Sequence, residues 1–160
     1  MIDIVNLQRK VKVSVTSYRA FVQELLLAMP EAKDRVFSVA FIGDNRMKQL
    51  NELFRDIDST TDVLSFPHEP DDFVTASSAT KGGQKKLPDT TVDSHKNFLG
   101  DIVISVEQAQ KQASENGLTL DGEIKQLILH GLLHLCGHDH ETDNGEMNAR
   151  ELQLRQELGI

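Results

Sequence analysis

The chain has 160 residues and a formal net charge of -8, with 39% hydrophobic and 26% charged residues, a balance that suits one globular domain with its own core. No apolar run approaches the roughly 18 residues of a membrane span, and the acidic balance excludes a broad basic surface for nucleic acid, so any such contact has to be local. The one cysteine allows no internal disulfide, and Met1 to Val13 lacks the basic start and apolar centre of a signal peptide, so a cytoplasmic protein with no membrane partner is expected.

In chain order, Ile2, Ile4 and Val5 predict a first strand, which Lys10 to Val13 extends or leads out of. Tyr18, Phe21, Val22, Leu25, Leu26 and Met29 follow helical spacing over Thr16 to Met29, and Pro30 stops that helix. Val36 to Ile42 reads as a strand. Gly43-Asp44 is a turn with Asp44 as N-cap, and Met47, Leu50, Asn51 and Phe54 line one face of a second helix. Asp62 to Phe66, bounded by Pro67, is a short strand. Residues 67–97 have loop composition and read as an insertion within the domain, either disordered or a mobile lid, with His68 and His95 at the surface. Phe98 to Ile104 is a strand carrying Asp101. Ser105 and Gln108 form a capping box for a helix that ends near Asn116-Gly117. A further helix runs from Thr119 or Asp121 to Cys136. Asp143 and Glu146 start a last helix packed through Met147, Leu152, Leu154 and Leu158. The expectation is a single α+β domain over residues 1–160, with about four strands in a mixed sheet and about five helices rather than a doubly wound parallel sheet.

The chemistry concentrates in His130-Gly131-Leu132-Leu133-His134-Leu135-Cys136-Gly137-His138-Asp139-His140, which holds four of the six histidines. On a helix, residues four apart share a face and are about 6 Å apart along the axis, so His130 and His134 can point at one metal ion. Gly137 ends the helix, and His140 can swing back as a third ligand. His138 is the rival third ligand, on the same face only if the helix runs on through Gly137. Cys136 lies about 200° around from His134 and should face away. Asp139 and Glu141 are candidates to orient the ligands. The spacing is that of the metzincin metalloproteases, H-x-x-x-H-x-x-G-x-x-H, and predicts a zincin-like helix. A zinc protease needs glutamate after the first histidine, and this chain has Gly131, which leaves space for a bulky phosphate to approach. Three neutral imidazoles leave zinc its positive charge and an open fourth position, suited to Lewis-acid activation of water or a phosphoryl oxygen; nickel or another imidazole-binding divalent metal also fits.

The same stretch resembles the H-G-x-L-H-L-x-G-[Y]-D-H signature of the YbeY family of rRNA maturation factors. Leu50-Asn51-Glu52-Leu53-Phe54-Arg55 with Thr61-Asp62-Val63-Leu64-Ser65-Phe66-Pro67, and Leu99-Gly100-Asp101-Ile102-Val103-Ile104-Ser105, resemble two further segments of that family. The resemblance implies a metal-dependent endoribonuclease specific for single-stranded RNA. It implies a role in maturation of the 3′ end of small-subunit rRNA and in late ribosome quality control, with the small ribosomal subunit and its assembly factors as partners. It makes His130, His134 and His140 zinc ligands, and assigns catalysis to Arg55 and His130. The chain departs from the family at His138, where tyrosine is usual, and in the length of the insertion before Leu99. Two other functions fit the residues: a metallopeptidase-like hydrolase, which Gly131 argues against, and a non-catalytic assembly factor with structural zinc, which would need a fourth protein ligand.

Overall fold

The computed structural model describes residues 2–68 and 97–160. Four strands form one mixed sheet: β1 (Asp3–Asn6), β2 (Val36–Ile42), β3 (Val63–Pro67) and β4 (Phe98–Ser105). The order is β1-β2-β4-β3, with β1, β2 and β4 parallel and β3 antiparallel on β4. Five α-helices complete the described residues: α1 (Val15–Ala28), α2 (Asp44–Arg55), α3 (Val106–Glu115), α4 (Leu120–Leu135) and α5 (Glu146–Leu158). The architecture is the expected α+β one, and β3 stands at a sheet edge.

Strand periodicity of two sorts the sheet's faces. Phe37, Val39 and Phe41 of β2 and Ile102 and Ile104 of β4 are fully buried, in one cluster with Val22 and Leu25 of α1, Leu154 of α5 and the apolar side chains of α4. Ile42, Met47 and Leu64 make a second, smaller cluster with Leu50, Phe66 and Val103, where α2 lies against the other face. A bulge in β4 slips the register so that Val36 faces Phe98 and Phe37 faces Gly100. Gly100 is obligatory there: its φ is +139°, and a Cβ would come within 2.1 Å of the Phe66 carbonyl oxygen.

Several local expectations are corrected. Of the two readings for Lys10 to Val13, the segment leads out of β1 rather than extending it; the Gln8 amide folds the chain back, bonding to the N–H and carbonyl of Val11. Gly43, not Asp44, is the α2 N-cap. The Asp44 carboxylate faces inward and accepts from Thr60, Ser105 and Gln108 side chains at 3.1, 2.6 and 2.9 Å. The capping box is therefore half made: Ser105 accepts from the Gln108 N–H, but the Gln108 amide goes to Asp44, and the Ser105 N–H donates to the Asp62 carbonyl. Leu152 is exposed rather than packed, and Phe54, though largely exposed, rests its ring edge-on against Phe66. His68 is half-buried; its N–H donates to the Leu99 carbonyl at 2.8 Å and its ring meets Phe98 edge-on. Residues 69–96 of the insertion, His95 among them, lie outside the described residues. No helix among those described is long and apolar enough to cross a membrane.

Candidate metal centre

Helix α4 begins at Thr119, whose hydroxyl accepts the Gly122 N–H. Its side chains are buried almost all round, because α4 lies on β3 and β4 and is flanked by α1, α3 and α5. His130 and His134 are half-buried, one turn apart. The helix stops in a Schellman motif: the Gly137 N–H donates to the His134 carbonyl and the His138 N–H to the Leu133 carbonyl. Gly137 takes φ +97°, a left-handed conformation that glycine adopts without strain. The reversal carries His140 back over the helix end.

The outcome is a three-histidine cluster. Ring centroids of His130, His134 and His140 lie 4.7, 5.1 and 5.7 Å apart, and one ligand nitrogen from each comes within 4.8 Å of the others. The bonds on the far sides of two rings set their tautomers. Nδ1 of His134 is 3.0 Å from the His138 carbonyl oxygen, which only accepts, so Nδ1 carries the proton and Nε2 is bare. Nδ1 of His130 is 3.2 Å from Oε2 of Glu151 and likewise donates. The two bare Nε2 atoms then face each other at 3.1 Å. Two lone pairs that close repel unless a cation lies between them, and with His140 closing the third side the donor set fits a metal ion. Burial first, then the neighbouring His130, lowers the His134 pKa and favours its neutral, ligating form.

Each predicted site residue can now be placed. His130, His134 and His140 converge. His138 is not part of the cluster: its carbonyl accepts from His134. Cys136 turns away into the edge of the core, where burial pushes its thiol up to about 11. Asp139 and Glu141 border the cleft without holding the rings; the Asp139 carboxylate accepts the Glu141 N–H at 3.0 Å. Arg55, 75 residues before His130 in the chain, lies at the exposed end of α2 and lines the same cleft of about 550 Å³ as the three histidines. Asp56 stops α2 with φ +54°, and Asn51 donates to the Ser59 carbonyl, tying down the loop that leads into β3.

Gly131 is explained differently from the sequence expectation. A Cβ there would meet Ile102 at 2.9 Å, so the glycine lets α4 lie close on β4 rather than opening space for a phosphate. The residue missed from sequence is Glu151. Its carboxylate is almost fully buried between His130 and Arg155, at 3.2 and 2.8 Å. Burial alone would raise its pKa, but the hydrogen bond from His130 and the bonded Arg155 guanidinium outweigh it and hold it below the usual carboxylate range. A signal existed: Met147, Glu151 and Leu154 share the inward face of α5, an acid among core positions.

An α+β domain with two helical histidines, a third returned by a glycine turn, and an open cleft beside them defines a protein with a candidate three-histidine metal site. A sequence model of the family described as Endoribonuclease YbeY matches residues 3–159, and the chain belongs to that family. It is 36% identical to Endoribonuclease YbeY of Carboxydothermus hydrogenoformans over 163 aligned positions, covering 100% of this chain and 99% of that one. It is 42% identical to the protein of the same name in Nautilia profundicola over 127 positions, 79% of this chain and 75% of the relative. The solution structure of TM1509 from Thermotoga maritima has the same fold, with a TM-score of 0.61 over 99% of this chain and 89% of that chain at 24% identity.

Proposed function

We propose that this chain is a zinc-dependent endoribonuclease that cuts single-stranded RNA. We assign it to maturation of the 3′ end of small-subunit rRNA and late ribosome quality control, in the cytoplasm, alongside the small ribosomal subunit and its assembly factors. One observation carries the catalytic part: Arg55 and the three histidines line one cleft. The names of the relatives supply the substrate class.

His130, His134 and His140 would hold the ion. Three imidazoles suit zinc with an open position, and nickel is the runner-up. When bound, such an ion polarises a phosphoryl oxygen and acidifies water. The protein's own groups do the rest. Glu151 and the His138 carbonyl hold two rings with Nε2 turned to the cleft. Arg55 presents a planar fork of donors that matches two phosphate oxygens. The local cation matters because the whole chain carries a charge of -8 and repels RNA at a distance.

The peptidase alternative is disfavoured because its glutamate would fall at Gly131, where Ile102 leaves no room. Structural zinc is disfavoured because the cluster offers three ligand groups among the described residues, not four. The test is cleavage of a single-stranded RNA oligonucleotide by purified wild type, His134→Ala, Arg55→Ala and Arg55→Lys. Both alanine variants should lose cleavage, and the lysine variant should recover little, since a point charge does not replace the fork. Equal cleavage by all four would mean a contaminating nuclease and sink the assignment.

A further inference from the structure

The C-terminal end of α2 and the turn after it expose Leu53, Phe54 and Ile57, at 73%, 60% and 41% of their surface. Apolar side chains this open usually find cover in the core, yet the Phe54 ring is not loose. It meets Phe66 at 5.0 Å between centroids and 66° between planes, an edge-to-face contact that fixes its orientation. Phe66 lies in edge strand β3 with its side chain on the α2 face, while its neighbours Ser65 and Pro67, which point to the opposite face, line the metal cleft. Arg55, the next residue along α2, lines it too. The ring and the cleft thus flank one edge strand from its two faces, and Arg55, next to Phe54 in the chain, reaches the cleft around that edge.

We propose that Phe54 is a stacking platform for an unpaired nucleobase of the substrate, with Arg55 holding a neighbouring phosphate. The proposal rests on the assignment of RNA as substrate and adds how it is recognised. A protein of charge -8 gathers little binding energy from phosphates at long range. Around Phe54 the side chains of Glu52 and Asp56 are exposed, so phosphates are unwelcome there and a base, through its π face, is the part of RNA that fits. Stacking on an aromatic ring tolerates any base sequence. In a duplex both faces of each base are already covered, so the platform selects single strands.

The chain has no tryptophan, which makes Phe54→Trp a clean fluorescent reporter. It is titrated with a 2′-O-methyl single-stranded oligonucleotide, the same strand with abasic sites, and the duplex. Leu27→Trp, on α1 at an 88% exposed position, is the control. Emission of Phe54→Trp should be quenched by the intact single strand and not by the abasic strand or the duplex, and the control should stay silent. Phe54→Leu should bind the single strand about 5- to 100-fold more weakly, with Phe54→Trp retaining wild-type affinity. Equal quenching by the abasic strand, or equal affinity of Phe54→Leu, overturns the platform. So does a Phe54→Trp emission that changes with protein concentration but not with RNA, which would make the patch a protein contact. Wild-type RNA cleavage alongside either result shows that the nuclease assignment survives; quenching without cleavage shows the reverse.

Discussion

Nδ1 of His130 lies 3.2 Å from Oε2 of Glu151, a residue on another helix 21 positions further along the chain. A buried carboxylate in that position orients the ring and fixes its tautomer, as a partner behind a metal-binding histidine does. Glu151→Ala should weaken zinc binding about 10- to 100-fold, read by competition with a chromophoric chelator. Glu151→Gln keeps an acceptor oxygen and should lie between the two. An alanine variant with wild-type zinc affinity would make the contact irrelevant to the metal.

The facing Nε2 atoms of His130 and His134 predict that metal stabilises the fold. With free zinc at about 100 times the dissociation constant, linkage adds about 2.7 kcal/mol. For a chain of this size that raises Tm by about 5–10 °C. Chelation should reverse the rise, and His134→Ala should abolish most of it. Scanning calorimetry with and without chelator decides; an identical Tm in both would deny the site a metal.

Gly131 should resist substitution on packing grounds. Gly131→Ala gains about 1 kcal/mol of helix propensity but drives a methyl group to 2.9 Å from Ile102. Overpacking of that kind costs about 1–3 kcal/mol, so a net loss is expected in urea melts. Ile102→Val in the same chain should recover part of it. Gly131→Glu, which completes the protease motif, should unfold the domain rather than create a peptidase.

Glu123 is buried near Asp62, with burial first and that neighbour second raising its carboxyl above the usual range. A raised carboxylate pKa in the folded state means that the fold loses stability as pH rises through the interval between the unfolded and folded values. Glu123→Gln removes the charge. It should raise Tm at pH 7 and give little gain at pH 4, where the acid is largely protonated in both states. A gain of equal size at both values would show that charge is not the cause.

The parts of the fold legible in the chain are those set by local periodicity. Val36 to Ile42 alternates, Tyr18 to Met29 repeats at helical spacing, and both elements form with nearly the expected bounds. Misplaced features were those where a side chain found a distant partner in place of a local one. Asp44 turns to Ser105 and Gln108 rather than capping α2, which also empties half of the expected capping box. Phe54 has the spacing of a core residue, but it meets only the edge strand, through Phe66, and stays largely exposed.

For the site, the sequence by itself determined the three histidines and the turn. Two histidines four residues apart must share a helix face, and Gly137 can take the positive φ that brings the third around; both are consequences of backbone geometry within one short stretch. Only the tertiary structure decided the rest. Glu151 reaches His130 because α5 packs on α4, Arg55 enters the cleft because α2 ends beside β3, and Gly131 is glycine because β4 places Ile102 against it. These contacts join segments far apart in the chain, and burial of a common core, which no local pattern encodes, brings them together.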